Sequence, residues 1–506
     1  MFPAEVWLSC IQGLFTPQVL ISIVGGVVIG TIIGVLPGLS GTMGLALCIP
    51  LTFWLPSNAG FAMLISLYVC SVAAGGISAI ILNTPGTPSS IGQTFDGYPL
   101  YREGKGGLAL GINVMVGTVG AVIGAVLLVF LAQPVANFTV KFSSQEYFAV
   151  ALLGLCMMAS VSGDNMAKGF LMGFVGLLLS CIGLDPIMGT KRYVFGFRYL
   201  QGGISYIIVM IGLFGVGEVL YQIYTNKKNE TDEKRKQAKM ENLAAGRILP
   251  TPGEAKRMII PSVWSSLVGI VVGAIPAAGG DIAGIVGWGT SRSMSKHPEE
   301  YGHGSVEGLA AASASIRACP AGAMITMLSL GIPGDSATAV LLGGMMMYGL
   351  NPGKSMFDSH PEFICNIMMM FIVASVVFFI LGMLTIRVSA KALDLRKELV
   401  WVAVLIVCIP GAFAMNQNFN DVILMLVFGL IGFFARIGGF PVGPLVLGLL
   451  LGNLTEVNLR RSLLVSGGNW LTFVTRPVSC VFLLIVVATF CLPAIKKAIG
   501  KRKKTA

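Results

Sequence analysis

Charged residues are scarce in this chain, and their scarcity indicates its class. Only 11% of the 506 residues are Asp, Glu, Lys or Arg, whereas soluble globular domains carry about 25%. No charged residue occurs between Glu5 and Asp96, a run of 95 − 5 = 90 residues. Because one membrane helix needs only about 20 apolar residues, the sequence predicts an all-α polytopic membrane protein rather than a soluble domain.

Residues of familiar enzyme sites are also few or dispersed. The three histidines form no H-E-x-x-H, the ten cysteines form no C-x-x-C, and no G-x-S-x-G is present. A zinc site, a disulfide framework and a serine-hydrolase site therefore have no support. We expect a non-enzymatic protein without catalytic residues or cofactors, and no metal other than sodium as a coupling ion.

Much of the positive charge lies in two short segments between or after the hydrophobic runs. Nine Lys and Arg residues lie in 223–257, and six more lie in 496–504. Short basic segments beside membrane spans mark the cytoplasmic side. The net charge of +11 therefore indicates orientation in a lipid membrane rather than nucleic-acid binding. No Lys or Arg precedes the first span, which argues against a cleaved signal peptide.

Hydrophobic segments predict about 11–14 membrane crossings. They lie at 18–36, 60–82, 107–132, 146–162, 166–184, 203–222, 258–275, 305–330, 336–350, 361–386, 399–416, 420–436, 442–452 and 475–495. Short segments such as 42–55 and 442–452 are typical of half-helices or re-entrant segments.

The basic segment 223–257 divides the chain into a first membrane repeat, 1–222, and a second, 258–506, which includes the basic tail. The first repeat starts with an uncharged flank, which we expect outside. The second follows the basic linker, which we expect in the cytoplasm. Equivalent helices would then cross in opposite directions, so the sequence predicts two inverted repeats with broken or re-entrant helices.

Pairs of Pro-Gly-type interruptions occur in both halves, inside very apolar sequence. The first half has Gly34-Val-Leu-Pro37-Gly-Leu-Ser-Gly41 and Asn83-Thr-Pro85-Gly86-Thr-Pro-Ser-Ser90; the second has Gly273-Ala-Ile-Pro276-Ala-Ala-Gly-Gly280 and Gly331-Ile-Pro333-Gly334-Asp-Ser-Ala-Thr338. The offsets are 276 − 37 = 239 and 333 − 85 = 248. Proline breaks helices, and broken backbone at membrane depth is tolerated only in protein or beside a cavity. Such paired interruptions point to the binding site of a transporter.

The chemistry of these four breaks suits an anion and a small cation together. Amides at helix N-termini attract anions, while freed carbonyls and hydroxyls suit sodium. The predicted ion-coupling residues are Asp281 and Asp335. The predicted substrate-binding residues are Ser40, Gly41, Thr42, Asn83, Pro85, Gly86, Thr87, Ser89, Gly279, Gly280, Arg317, Gly334, Ser336 and Thr338.

Two charged residues in these segments have alternative interpretations. Asp335 precedes an apolar helix, so it suits a helix N-cap as well as a cation or proton site; the two roles are compatible. Arg317 lies among small residues and suits a bidentate clamp on a carboxylate. The alternatives for Arg317 are an ion pair with Glu307 or Asp335, or a side chain that reaches the membrane interface.

Motifs along 18–480 resemble those of one transporter family. They are Gly34-Val-Leu-Pro-Gly-Leu-Ser-Gly41, Leu82-Asn-Thr-Pro-Gly-Thr-Pro88, Asp96-Gly-Tyr-Pro99, Gly183-Leu-Asp-Pro186, Arg192-Tyr-Val-Phe-Gly196, Gly212-Leu-Phe-Gly-Val-Gly-Glu218, Gly273-Ala-Ile-Pro276, Ser295-Lys-His-Pro-Glu-Glu-Tyr-Gly302, Glu307-Gly308, Leu330-Gly-Ile-Pro-Gly334, Pro444-Leu-Val-Leu-Gly448 and Gly452-Asn-Leu-Thr-Glu456. In this order they resemble the large membrane subunit of the tripartite tricarboxylate transporter family.

The resemblance implies a multi-pass transporter of the bacterial inner membrane. It implies two protein partners, a small four-helix membrane subunit and a periplasmic solute-binding protein. It also implies di- or tricarboxylate substrates, small organic anions that are imported with a sodium or proton gradient. Relatives usually carry Glu-Ala-Ala-Asn-Asn-Ala where this chain has Ser313-Ala-Ser-Ile-Arg317-Ala318. If this stretch lines the site, the change makes the site more positive and less suited to a cation.

Two other functions are compatible with the sequence. A stand-alone organic-anion carrier or channel would need no partner proteins. A family member that senses rather than transports would bind substrate without accumulating it. An intramembrane enzyme has only Asp and Arg candidates and no recognised catalytic set.

Overall fold

Helices form nearly all of the regular structure, so the predicted all-α fold is confirmed. The computed structural model describes residues 3–36, 39–52, 54–139, 142–161, 166–225, 246–275, 279–392 and 397–487. Pro37, Pro276, most of the basic linker and the basic C-terminal tail therefore lie outside the described residues.

In chain order the helices are α1 (Ala4–Leu14), α2 (Pro17–Val35), α3 (Gly41–Thr52), α4 (Ser57–Leu82), α5 (Ile91–Arg102), α6 (Gly106–Thr139), α7 (Ser144–Val161), α8 (Met166–Ser180), α9 (Tyr206–Met210), α10 (217–225), α11 (Pro252–Ala274), α12 (Gly279–Met294), α13 (Val306–Leu330), α14 (Ser336–Met347), α15 (Lys354–Ser359), α16 (Pro361–Ala392), α17 (Lys397–Asn416), α18 (Phe419–Ile437), α19 (Gly443–Val465), α20 (Thr472–Thr475) and α21 (Pro477–Val487). A π segment, Ile211–Val216, joins α9 to α10. Short 3₁₀ turns cover Pro88–Ser90 and Tyr199–Gly202. The strands β1 (Gly183–Leu184) and β2 (Lys191–Arg192) form an antiparallel pair.

Seven of the described helices are long and apolar enough to cross a membrane, by length and composition. They are Pro17–Val35, Ser57–Leu82, Gly106–Thr139, Tyr206–Thr225, Pro252–Ala274, Pro361–Ile386 and Phe419–Ile437. Shorter apolar helices, among them Gly41–Thr52 and Ser336–Met347, have the lengths of half-helices. The count of 11–14 crossings stays a prediction.

The chain forms two compact units. One comprises Met1–Ala136 and Met210–Phe433, and the other comprises Asn137–Val209 and Phe434–Ala506. Each predicted repeat contributes segments to both units, so the units do not coincide with the repeats. The repeat bounds, 1–222 and 258–506, therefore stay a prediction.

In the first unit, α2 packs along α4 just as α11 packs along α13. Four helix glycines make equivalent close contacts: Gly30 with Leu67, Gly34 with Ser71, Gly269 with Ser315, and Gly273 with Cys319. The glycines are offset by 269 − 30 = 239 and their partners by 315 − 67 = 248, the offsets of the Pro-Gly breaks. Small residues let membrane helices approach closely, so these glycines allow the same close packing in both repeats.

Helix direction in the first unit is inverted between the repeats. Gln93 of α5 lies against Gly76 of α4, and Gly97 lies against Ile80 one turn further along both helices. Helices α4 and α5 therefore run in the same direction. Along α13 the same two residues meet partners in the reverse order: Gln93 bonds to Ser313, and Gly97 contacts Leu309. Because α5 opposes α13, the equivalent helices α4 and α13 run in opposite directions, as predicted.

The second unit has a charged network beside the β1–β2 hairpin. Arg192 donates two hydrogen bonds to the Glu456 carboxylate, at 2.7 and 3.1 Å. Arg460 donates to Asp185 at 2.8 Å and to Glu456, four residues earlier on α19, at 2.9 Å, a favourable spacing for an ion pair on a helix. Backbone N–H donation from Met188, reinforced by Arg460, holds the pKa of Asp185 well below its usual range. The network involves Glu456 and Arg460 in the polar second half of α19. This helix extends beyond the short span predicted at 442–452.

Candidate functional site

The first break places a hydroxyl at the start of α3. The Met43 N–H donates to Ser40 Oγ at 3.1 Å, so Ser40 acts as an N-cap and satisfies one of the free amides of the first turn. Gly41 is buried against the Ser71 hydroxyl on α4. Thr42 is partly exposed in the first turn of α3.

The second break turns the chain back along α4. Asn83 ends α4 in the left-handed region, with φ of 53°, and its side chain is exposed. The partly buried Pro85 follows, and the Gly86 N–H then donates to the Gly75 carbonyl at 3.2 Å. A side chain at Gly86 would collide with the Gly34 carbonyl. Gly86 is therefore a packing residue, and its amide is not free to bind a ligand.

Thr87 and its neighbours begin the helical segment after this turn. Thr87 and Ser90 form a capping box, and the Thr87 and Ser89 hydroxyls lie 3.0 Å apart. Both side chains are buried. The break thus presents two hydroxyls at a helix N-terminus.

The fourth break repeats this geometry with a carboxylate. Gly331 ends α13 with φ of 70°, as Asn83 ends α4. A Cβ at Gly334 would lie 2.5 Å from the Gly273 carbonyl oxygen, as Gly86 meets Gly34. Asp335 then caps α14, since its Oδ1 accepts from the Thr338 N–H and from the Thr338 hydroxyl, both at 2.7 Å.

The predicted N-cap role of Asp335 is therefore confirmed, and Thr338 is committed to that cap. The other carboxylate oxygen, Oδ2, accepts from the Tyr68 hydroxyl at 2.6 Å. Asp335 and Ser336 both remain partly exposed. A carboxylate oxygen can accept more than one contact, so these bonds leave room for a cation.

The third break starts α12 with two glycines. Gly279 has φ of 58°, a conformation that favours glycine. A Cβ at Gly279 would lie 3.0 Å from the Asp335 Cβ, and one at Gly280 would lie 3.0 Å from the Ser89 Cβ. The third break therefore touches both the second and the fourth.

These contacts bring the breaks of the two repeats together. The N-termini of α12 and α14 and the turn at Pro88–Ser90 meet at Gly279, Gly280, Ser89 and Asp335. The first break approaches the same part of α4, because Gly41 packs on Ser71 and the Ser71 hydroxyl donates to the Tyr68 carbonyl at 3.0 Å.

The charge at this meeting point is mixed. Helix N-termini are positive, while two carboxylates, Asp281 and Asp335, lie close enough to repel each other. Asp281 is exposed in the first turn of α12. Within the described residues, no group of three or more His, Cys, Asp or Glu side chains is arranged to hold a metal. A cation here would need backbone and hydroxyl oxygens beside the two carboxylates.

Arg317 is not brought to this cluster. Its side chain lies against Gly117 of α6, and its guanidinium carbon lies 4.5 Å from the centre of the Phe378 ring of α16. The two acids that were predicted as ion-pair partners of Arg317 bind other residues. Glu307 binds Arg257 at 2.7 Å, and Asp335 binds Tyr68. Arg317 is also 99% buried, so neither alternative ion pair and no interfacial position describes it.

Sequence reasoning missed two residues that organise the site. Tyr68 reads as one more apolar residue of α4, and only the fold shows its hydroxyl on Asp335. Asp96 stands out in the sequence only as the first residue of the motif Asp96-Gly-Tyr-Pro99. Its Oδ1 accepts three backbone N–H groups of the loop before α13, and its Oδ2 accepts from Trp288 Nε1 at 2.6 Å. Asp96 thereby ties α5 of the first repeat to the loop and to α12 of the second.

Known proteins resemble this chain over most of its length. The sequence model described as the Tripartite tricarboxylate transporter TctA family matches residues 20–447. The chain is 31% identical over 479 residues, 95% of its own length and 94% of the relative's, to an uncharacterised 52.8 kDa protein of the TAR-I ttuC' 3' region of Agrobacterium vitis. It is also 31% identical over 232 residues, 45% of its length and 96% of the relative's, to an uncharacterised protein of the TAR-II ttuC' 3' region of the same organism. No solved structure matches the chain.

Proposed function

Because the chain belongs to the tripartite tricarboxylate transporter TctA family, we propose that it is the membrane-embedded transport subunit of a binding-protein-dependent secondary transporter. It imports di- or tricarboxylates or related organic anions across the bacterial inner membrane. A sodium or proton gradient drives the import. Its partners are a small four-helix membrane subunit and a periplasmic solute-binding protein.

The observation that carries this proposal is the meeting of the breaks from the two repeats. Several helical segments begin there, and their first residues carry hydroxyls at Ser40, Thr87, Ser89 and Ser336. Amides and hydroxyls at such ends bind carboxylates through hydrogen bonds and the helix dipole. A substrate anion would bind between α12, α14 and the turn at Pro88–Ser90.

The same site also suggests why transport would be coupled to a cation. A polyanion that approaches Asp281 and Asp335 is repelled by their charges unless a cation or proton neutralises them. Each bound cation therefore raises the affinity for the anion, and by linkage the anion raises the affinity for the cation by the same factor. This reciprocal effect is what a symporter requires.

Uptake into proteoliposomes tests the proposal. The chain is reconstituted with its small subunit, and labelled di- and tricarboxylates are supplied with and without the binding protein. Sodium and proton gradients are imposed separately. We expect uptake that requires the binding protein and one of the two gradients.

Other outcomes of this experiment identify the alternatives. Saturable uptake without the binding protein would indicate a stand-alone carrier, and unsaturated flux with electrical conductance would indicate a channel. Substrate binding without accumulation under either gradient would contradict transport and favour a sensor.

A further inference from the structure

Arg317 carries a buried positive charge that the described protein does not balance. The side chain is 1% exposed, and Nε, Nη1 and Nη2 have no hydrogen-bond partner among the residues that the structure describes. Arginine does not lose its proton in proteins, and a buried charge without a partner is strongly unfavourable. A negative charge from beyond the described residues, such as that of a bound ion, would balance it.

Two buried amides beside Arg317 also have unused hydrogen-bonding atoms. Gln93 Nε2 donates to Asn113 Oδ1 at 2.6 Å and to Ser313 Oγ at 3.1 Å. In the described structure Gln93 Oε1 and Asn113 Nδ2 remain without a partner, although each residue is 1% exposed. Buried polar atoms are nearly always satisfied, and each exception calls for an explanation such as an ion or a water.

Helix geometry places these groups next to one another. Ser313 precedes Arg317 by one turn of α13, and Asn113 precedes Gly117 by one turn of α6. Arg317 packs against Gly117 while Gln93 joins Ser313 to Asn113. The guanidinium and the free Asn113 N–H therefore lie on neighbouring turns of the same α6–α13 interface.

Phe378, whose ring faces the Arg317 guanidinium, also borders a small cavity. The cavity has a volume of about 30 Å³ and lies between α2, α4, α6 and α16. Thr31, Ile77, Val114 and Thr385 are among the other lining residues. An aromatic face attracts a cation but accepts none of its N–H bonds in the plane of the fork, so those donors remain available to a ligand.

We propose that Arg317 and Asn113, with Gln93 in support, form a buried site for one small monovalent anion. The ligand is a halide or a single carboxylate group, because a guanidinium and an amide N–H both donate to such anions. The site is distinct from the meeting point of the breaks, and it does not depend on the proposed transport function.

Equilibrium binding of radiolabelled chloride to the purified full chain in nanodiscs tests the proposal. The buffer anion is a bulky sulfonate, and the sodium concentration is held constant. We expect saturable chloride binding and a melting temperature that rises by about 2–3 °C at a hundredfold excess over the dissociation constant. Competition by acetate would show that a carboxylate enters the same site, whereas failure of acetate to compete would restrict the site to halides.

Two variants remove the need for the ion in different ways. Arg317→Met deletes the buried charge, which should leave the protein folded and lower chloride affinity at least tenfold. Asn113→Asp supplies an internal carboxylate of nearly the same shape and should also abolish the response. Arg102→Gln, an exposed arginine on α5, is the matched control and should bind chloride like the wild type.

The results that overturn the proposal are specific. Folded wild-type protein that binds neither chloride nor acetate would exclude the site. Wild-type chloride affinity in folded Arg317→Met would show that the anion binds elsewhere.

Discussion

The two repeats of the first unit share a backbone design but differ in polar chemistry. In each repeat a long helix ends in a left-handed residue, a glycine packs on the preceding helix, and a capping box begins the next helical segment. At the cap the first repeat has Thr87, and the second has Asp335, at the offset 335 − 87 = 248. Thr42 and Asp281 differ in the same way, at the offset 281 − 42 = 239.

This difference separates the requirements of an anion from those of a cation. Helix N-termini are products of backbone geometry, so both repeats offer them. Carboxylates at these positions occur only in the second repeat. If the proposed function is correct, substitutions of the shared packing should affect both repeats equally, whereas substitutions of the polar residues should not.

The largest effect should come from the glycines that position both breaks. Gly86→Ala and Gly334→Ala each add a Cβ where the backbone of a neighbouring helix already lies; the added atom would be 3.0 Å from Gly75 Cα in the first and 2.6 Å from Ala323 Cα in the second. Such overpacking costs about 1–3 kcal/mol or more. We expect both variants to lose uptake, together with a lower melting temperature measured by intrinsic fluorescence.

Gly25→Ala is the matched control, because a Cβ at Gly25 on α2 would meet no atom within 4 Å. In a helix interior this change should be neutral or stabilise by about 0.5–1 kcal/mol. Loss of uptake in only one of the two break variants would show that the breaks are not functionally equivalent, whatever their geometry.

The sequence predicts the break positions well because proline and glycine act locally. Each Pro-Gly interruption ends a helix through its own backbone constraints, so the offsets of 239 and 248 reappear in the packing of Gly30 and Gly269. Helix positions along the chain were likewise predicted by hydrophobic run lengths, as for Ser57–Leu82 and Val306–Leu330.

Side-chain direction within these helices was not predictable. Helix α13 is buried on nearly every side, so no apolar stripe shows which residues face which neighbour. The sequence therefore makes Arg317 a candidate for the substrate site, although the fold turns it toward α6 and α16. Tyr68 escaped notice for the same reason, since its bond to Asp335 joins residues 335 − 68 = 267 positions apart.

A smaller effect on structure, but a large one on coupling, is expected from Asp335→Asn. Asn caps helices about as well as Asp, so α14 should keep its start and the melting temperature should change little. Loss of the negative charge should lower gradient-driven uptake at least tenfold and remove its dependence on the driving ion. The measurement is initial uptake against sodium concentration and, separately, against the proton gradient.

Asp358→Asn is the control, because Asp358 is an exposed residue whose ion pair is with Lys354 on the short helix α15. It should transport like the wild type. Asp335→Asn protein with unchanged uptake and unchanged ion dependence would remove Asp335 from the coupling site and leave it as a helix cap only.

The smallest effects should come from single hydroxyls, one in each repeat. Thr87→Val removes the hydroxyl that lies 3.0 Å from Ser89, and Ser336→Ala removes the one beside the Asp335 cap. A hydrogen bond contributes about 0.5–1.5 kcal/mol, so each change should raise the substrate KM roughly 2–10-fold without loss of expression. Ser293→Ala, an exposed serine of α12 that bonds to the Thr290 carbonyl, is the control and should leave KM unchanged.

Normal uptake in both the Thr87→Val and the Ser336→Ala variants would contradict the site assignment. Similar increases in KM in both variants would mean that hydroxyls of the two repeats bind one substrate. An increase confined to Ser336→Ala would place the substrate on the second repeat alone and leave the first break as its scaffold.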